Sequence, residues 1–376
     1  MKKRVVSWIL VLCTALALVG CGQNQNSAAS SGQGSGAGTA GSGDGSGGLE
    51  NSYSFNVGSS STAGTTITKT FEAAQQKAQE ESGGKLTMTY YGASSLGSDN
   101  EMLKECVAGN LPIVVMTTAS ITGTVPELAV FDMHCAFSSM DTLSAMMEDE
   151  EFLAMVQGWF EKAGLKLIAW ETQSSKLLAS TKEVNTIDDF KGYDMRTLSN
   201  KYHIDFWQAV GANTIQIDAS ELYLSVQQGL INGIEMNMAS ILSRKLTEVC
   251  DYVQETMILP HMTIAVMNLD QYNSMTENDK AWFDQFMAEV NDEFNAMGIE
   301  DNEAGWDEVA AAGVTAKMFN EELFEDLKAV AETSSWKLVR EDLGDEVVDA
   351  YLAKIEEAKK RDHRKLGKEL GLFMLR

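Results

Sequence analysis

Positive charge, cysteine and histidine are all scarce in this chain of 376 residues, and each shortage closes off a class of function. Lys and Arg number 29 against 54 Asp and Glu, for a formal charge of −25. So acidic a surface repels phosphate backbones and anionic headgroups, which argues against nucleic acid as a partner and against electrostatic docking on a membrane. The 5 cysteines are widely spaced and do not make a disulfide framework. There are only 4 histidines, and no H-E-x-x-H, C-x-x-C, G-x-S-x-G or P-loop occurs, so the usual signatures of enzyme chemistry are missing. No catalytic residue, cofactor or metal is expected. His134 and Cys135, read as strand neighbours, point to opposite faces and do not meet as base and nucleophile. Asp188 and Asp189 precede Phe190-Lys191-Gly192 in what reads as a solvated turn, not a catalytic carboxylate pair.

What is present begins with a leader. Lys2, Lys3 and Arg4 form a positive n-region, and Val5 to Val19 is apolar apart from Ser7, Cys13 and Thr14, the pattern of an export signal. It is shorter than the roughly 20 apolar residues of a membrane span. It ends in Leu18-Val19-Gly20-Cys21, the bacterial lipoprotein pattern, which predicts cleavage after Gly20 and a lipid on Cys21. Loss of three basic and no acidic residues with the leader takes the formal charge from −25 to −28. Cys106, Cys135 and Cys250 then remain as buried, inert thiols. From Gly22 to Gly48 the chain is Gly, Ser, Ala, Gln, Asn and Thr with Asp44 its only charge, a flexible tether with an r.m.s. span of roughly 30 Å. Its two G-x-G-x-x-G matches follow no strand and open no helix, so they are compositional.

The body starts near Tyr53, and the 44% hydrophobic content is enough for one large or two medium domains. Ser54 to Val57 reads as a strand, and Ile67, Phe71, Ala74 and Ala78 mark one face of a helix closed by Gly83-Gly84. Leu86, Met88 and Tyr90 alternate as a strand. Asn100 is read as the cap of a helix ending at Gly109, and Ile113 to Met116 as a buried strand. Downstream, Leu165 to Trp170 and Thr214 to Ile217 read as strands, Asn200 to Val210 as a helix, and Asp218-x-x-Glu221 as a capping pair. Alternation of strand and helix predicts an α/β fold. Thr276-x-x-Asp279 caps a helix with Trp282, Phe286, Val290 and Phe294 at spacing four, long enough to brace two domains if Gly298 is accepted within it. In the tail, Val347, Tyr351 and Ile355 mark a further helix packed on the body.

One constellation is specific in its spacing. Asp189-Phe190-Lys191-Gly192-Tyr193-Asp194-Met195-Arg196 is followed by Gly211-Ala212, then by Glu221-x-Tyr223-x-x-x-Gln227-x-Gly229-x-x-Asn232-Gly233-x-Glu235. With Glu81 to Leu86, Leu96-Gly97, Glu101 and Gly109 in the same order, this resembles the solute-binding subunits of TRAP transporters over most of residues 53 to 330. The resemblance implies a two-domain α/β fold of the periplasmic-binding-protein kind, with an interdomain ligand cleft and a long bracing helix. The expected layout is a signal peptide at 1–20, a lipidated tether at 21–50, domain I from 51–173 plus 262–301, domain II from 174–261 plus 302–330, and C-terminal helices at 331–376.

The resemblance also implies a function: capture of a small carboxylate and delivery to TRAP permease membrane subunits, outside the cytoplasm, with the membrane reached through the lipid on Cys21. Arg196 matches the family's carboxylate-gripping arginine, and a guanidinium suits that role because its planar fork pairs bidentately with carboxylate. Lys176 stands where some members carry a second arginine, and Met236 replaces an asparagine with Asn237 beside it. Asp194 replaces a lysine of the motif, and these departures bear on which acid is bound. Glu235 is a rim or hinge candidate. Tyr223, and Trp170 with Glu171 at a strand end facing the cleft, complete the candidates. Solute-binding lipoproteins of ABC importers or receptors, and an exported hydrolase using Cys135 or a carboxylate pair, are the alternatives.

Overall fold

A computed structural model describes residues 48–373 apart from 138, 173 and 174, with side chains as far as 360. The leader, Cys21 and almost all of the tether lie outside the described residues. Two sheets organise the chain. The first has strand order β2-β1-β3-β10-β4, built from β1 (Tyr53–Ser59), β2 (Leu86–Tyr91), β3 (Ile113–Thr117), β4 (Leu165–Glu171) and a strand from far downstream, β10 (Thr263–Asn268). The second has order β11-β9-β5-β8-β6-β7, from β5 (Ser175–Ser180), β6 (Asp194–Thr197), β7 (Asn213–Gln216), β8 (Gly233–Met236), β9 (Tyr252–Pro260) and β11 (Thr315–Met318). β4 of the first sheet is followed in the chain by β5 of the second, and the chain passes back from β9 to β10 across His261 and Met262.

The helices follow the expected periodicity, with two corrections at their starts. The helix Asp99–Val107 is capped by Ser98, not Asn100: the Ser98 hydroxyl accepts from Glu101 N while the Glu101 carboxylate accepts from Ser98 N, a reciprocal capping box. The Asp218 side chain makes no cap; Glu221 N donates to the Asp218 carbonyl at 3.0 Å in a short 3₁₀ turn ahead of the helix Leu222–Gln227. Thr276 caps as expected, accepting from Asp279 N, and opens the helix Glu277–Ala311. Its 35 residues are continuous through Gly298 and Gly305. It packs on β4 and the helix Thr66–Glu81 beside the first sheet, and reaches the helix Met238–Ser243 and β11 beside the second. Glycine permits close approach at both points. A β-carbon on Gly298 would stand 2.6 Å from Glu171 Oε1, and one on Gly305 only 2.1 Å from Met238 Cγ.

His134 and Cys135 are not on a strand. They occupy a turn in which Cys135 has φ near +59° and donates its N–H to Ile258 O. His134 is fully buried, stacked 3.9 Å from the Phe206 ring with Nδ1 at 3.2 Å from Ser335 Oγ. Asp189 takes part in a capping box with Thr186 on a short exposed turn. In the tail, Val348, Tyr351, Ile355 and Ala358 of the helix Asp345–Phe373 join Phe131 and Phe152 in one apolar cluster. Among the described residues no helix is long and apolar enough to cross a membrane.

Candidate functional site

A cavity of about 100 Å³ lies where the two sheets meet, walled by residues of both and by His261 at the crossing. It opens on a wider cleft, and Arg196, Arg244, Asp99, Ser60 and Ser120 line both spaces.

Arg196 comes from β6, in parallel register with Ile234 of β8 and Ile215 of β7. The pleat that alternates side chains across a strand leaves Met195 in the apolar core and Arg196 on the cavity wall. Arg196 is only 5% exposed, and its Nε donates to Ile217 O at 2.9 Å. Its two terminal nitrogens have no hydrogen-bond partner among the described residues, and no carboxylate there lies within ion-pair distance. Burial, then the nearby Arg244, lowers its pKa to about 10, with Asp218 and Glu235 opposing the shift. It therefore stays charged at neutral pH with its fork facing the cavity.

Lys176 is placed by an irregularity. The pairing of β5 with β9 shifts register between Ser175 and Leu177, and a bulge of this kind re-aims the side chain it carries. Its carbonyl accepts from Thr256 Oγ1 at 2.7 Å, and Nζ lies 3.3 Å from His203 Nδ1. His203 Nε2 lies 2.9 Å from Asp132 Oδ1, and Asp132 Oδ2 accepts from Asn200 Nδ2 at 2.7 Å. Burial pulls the Lys176 pKa down against the raising effect of Glu235 and Asp132. Glu235, on β8, accepts from Trp207 Nε1 at 2.9 Å with Oε2, while Oε1 is buried without a partner. His134, His203 and Glu235 bring potential metal-ligating atoms within 4.8 Å of one another. Both His203 ring nitrogens are already engaged, Nδ1 with Lys176 Nζ and Nε2 with Asp132 Oδ1.

Met236 and Asn237 line the cavity, and Asn237 also caps the helix Met238–Ser243 by accepting from Ser240 N at 3.3 Å. Glu171, buried at the end of β4, lines it as well. Tyr223 lies outside this inner group. It lines the outer cleft and donates to Glu248 Oε2 at 3.0 Å. Trp170 lines neither space: its backbone is held by Asn291 and Asn295 of the long helix, and its ring packs on the cluster containing Phe131. Strand alternation accounts for this, since it separates Trp170 from its neighbour Glu171.

Sequence reasoning missed Arg244, Asp99 and His261. Arg244 follows the helix Met238–Ser243, with Nη1 donating to Ala219 O at 3.0 Å and Nε sealed from solvent without a partner. Asp99 Oδ1 is likewise buried and unpartnered, and burial raises the Asp99 pKa. Burial, with Lys176 nearby, pushes the His261 imidazole down to about 3, so it is neutral. None of the three stands in a local pattern that signals a site.

The family model described as bacterial extracellular solute-binding protein, family 7 (DctP) matches residues 57–342. The chain belongs to that family. The uncharacterized protein y4mM of Sinorhizobium fredii is 30% identical to this DctP-family chain over 207 residues, which are 52% of this chain and 38% of that protein. Among solved structures, the sugar acid binding protein DctPAm of Advenella mimigardefordensis, in complex with galactonate, is 18% identical with a TM-score of 0.77, covering 82% of this chain and 99% of that one. A TRAP periplasmic solute-binding protein of Desulfovibrio salexigens with bound orotic acid is 20% identical with a TM-score of 0.76, covering 81% and 99%. At such identities the likeness establishes the fold, the two-domain α/β architecture of TRAP solute-binding proteins. DctP membership separates the chain from solute-binding lipoproteins of other importer classes.

Proposed function

We propose that this DctP-family chain is the receptor of a TRAP-type transporter and captures a small organic acid between its two sheets, delivering it to the permease subunits. The observation that carries the reading is Arg196: a buried, charged guanidinium that gives only Nε to the protein and turns its remaining donors to a cavity. A buried cation without an ion-pair partner is costly, and a carboxylate fitted to its fork removes that cost. Galactonate and orotic acid, bound by the two similar structures, each carry a carboxylate. Lys176, Glu171, Glu235, Met236 and Asn237 complete the inner wall, with Tyr223 at the outer cleft. The domains close about the crossing at 261–262.

In this reading the protein binds without catalysis. Cys106, Cys135 and Cys250 are buried, and burial raises each thiol pKa, so none is an activated nucleophile. The mature chain is held outside the cytoplasm by lipid on Cys21, and mass spectrometry of the membrane-extracted protein is expected to find a diacylglyceryl mass on that residue; its absence overturns the anchor.

The functional test is calorimetry and thermal shift of the chain from residue 49 onward against organic acids, neutral sugars and amino acids. A ligand at about 100 times its Kd stabilises by roughly 2.7 kcal/mol. The expected result is stabilisation by one class of carboxylic acids, unchanged acid after incubation, and loss of binding in Arg196→Ala. Stabilisation by neutral compounds alone overturns the reading.

A further inference from the structure

Arg196 and Arg244 hang from one strut. Arg196 Nε donates to Ile217 O at 2.9 Å and Arg244 Nη1 to Ala219 O at 3.0 Å, carbonyls two residues apart on either side of Asp218. Asp218 itself is exposed, and neither guanidinium has a carboxylate within ion-pair distance among the described residues. Both line the same cavity. Asp99 favours the charged form of Arg244, and Asp218 and Glu235 that of Arg196, but burial outweighs them and lowers both pKa values, so two like charges, one buried and the other half-buried, still favour an anion between them.

A count of donors shows how many anionic groups the pair can hold. A guanidinium has five N–H donors; Arg196 gives one to a carbonyl and keeps four, while Arg244 gives one to a carbonyl, has Nε sealed from solvent and keeps three. One carboxylate offers about four lone-pair sites, so a single carboxylate leaves about three of these donors unmet. Two anionic groups match the set. The cavity also holds two unpartnered acceptors, Asp99 Oδ1 and Glu235 Oε1, which call for donors from the ligand.

We infer that Arg244 is a second anion anchor that sets specificity, and that the preferred ligand is a small hydroxylated dianion: one carboxylate on Arg196, a second anionic group on Arg244, and hydroxyls facing Asp99 and Glu235. This rests on the reading of Arg196 as the carboxylate clamp. It goes further in assigning a residue 48 positions downstream to the choice between mono- and dianions.

Calorimetry with two matched pairs tests it: D-glucarate against D-gluconate, and L-malate against 3-hydroxybutyrate, each pair differing by one carboxylate. In the unaltered protein the diacid of at least one pair is expected to bind ten-fold or more tightly than its monoacid. Arg244→Gln keeps a donor for Ala219 O, and it is expected to erase that preference, the diacid losing about ten-fold more affinity than the monoacid. Arg244→Lys, which keeps the charge without the fork, is expected to fall between the two, and thermal melts confirm that both variants fold. Arg196→Gln is expected to abolish binding of both members. Equal binding of diacid and monoacid, or an equal loss of both in Arg244→Gln, overturns the second anchor and leaves the receptor reading standing. Failure of all four acids to bind also overturns it, and the wider ligand panel then decides whether the receptor reading falls too.

Discussion

Gly298, at the middle of the long helix, lies directly against Glu171 at the end of β4, so close that a β-carbon would stand 2.6 Å from the Glu171 carboxylate oxygen. Glycine inside a helix costs about 1 kcal/mol relative to alanine. Here that cost allows the bracing helix to approach the carboxylate that walls the cavity. Gly298→Ala is therefore expected to lose more by displacing buried Glu171 than it gains in helix propensity, for a net loss of about 1–3 kcal/mol. Urea unfolding and ligand titration check it; a more stable variant with unchanged affinity would show that Glu171 moves aside freely.

Arg196→Lys keeps the charge but replaces the fork with a single ammonium. Affinity for a carboxylate ligand is expected to fall about 10- to 100-fold, while the melting temperature changes little, because Arg196 gives the fold one hydrogen bond. Calorimetry separates this from a structural role, in which melting temperature and affinity would fall together.

His134 and His261 are both held neutral. Burial drives the His134 pKa well below its ordinary value, with His203 and Lys176 adding to the effect, and His261 is pushed down to about 3. In the unfolded chain both take up protons near pH 6.5. The unfolded state therefore binds more protons below that pH, and stability contributed by neutral burial, complete above 6.5, is lost as pH falls toward 3. Each histidine is expected to contribute a slope of up to about 1.4 kcal/mol per pH unit in that window. Urea midpoints between pH 7.5 and 5 measure this, and His261→Asn is expected to flatten the dependence.

The three thiols of the body are expected to resist a thiol reagent in the native protein and to react together on unfolding. All three are buried, with pKa values raised to about 12 for Cys106 and Cys250 and further for Cys135. Rapid labelling of native protein at Cys135 would restore the thiol-hydrolase alternative.

Trp207→Phe removes the indole donor to Glu235 Oε2 and leaves both carboxylate oxygens without a protein partner. A loss of about 1–3 kcal/mol in stability is expected. Tyr223→Phe, by contrast, breaks only its bond to Glu248 in the outer cleft and is expected to change stability by less than about 0.5 kcal/mol and leave affinity unchanged. Thermal melts and titrations of the two variants check the contrast.

Local order carried much of this protein into its sequence. Strand alternation at Leu86, Met88 and Tyr90, helical spacing at Phe286, Val290 and Phe294, and the Thr276 cap all reflect interactions within a few residues, so they could be read without the fold. The motif ending in Arg196 and running on to Glu235, read through its resemblance to a known family, marked residues that line the cavity. Helix starts were less legible: Ser98 and Asn100 are both acceptable caps, and only the Glu101 side chain folding back decides between them. Other features had no local expression. Lys176 reaches the cavity through a register shift between β5 and β9, and Trp170 is turned away from it while Glu171 is turned in. Arg244 stands beside Arg196 because one loop offers both a carbonyl, and Asp99 joins them from the other sheet. Periodicity determined which elements form, and the resemblance carried by the motif pointed to Arg196, which lines the cavity. The second cation, the unpartnered acceptors and the depth of burial that makes them costly depend on contacts between residues far apart in the chain, and only the tertiary structure decided those.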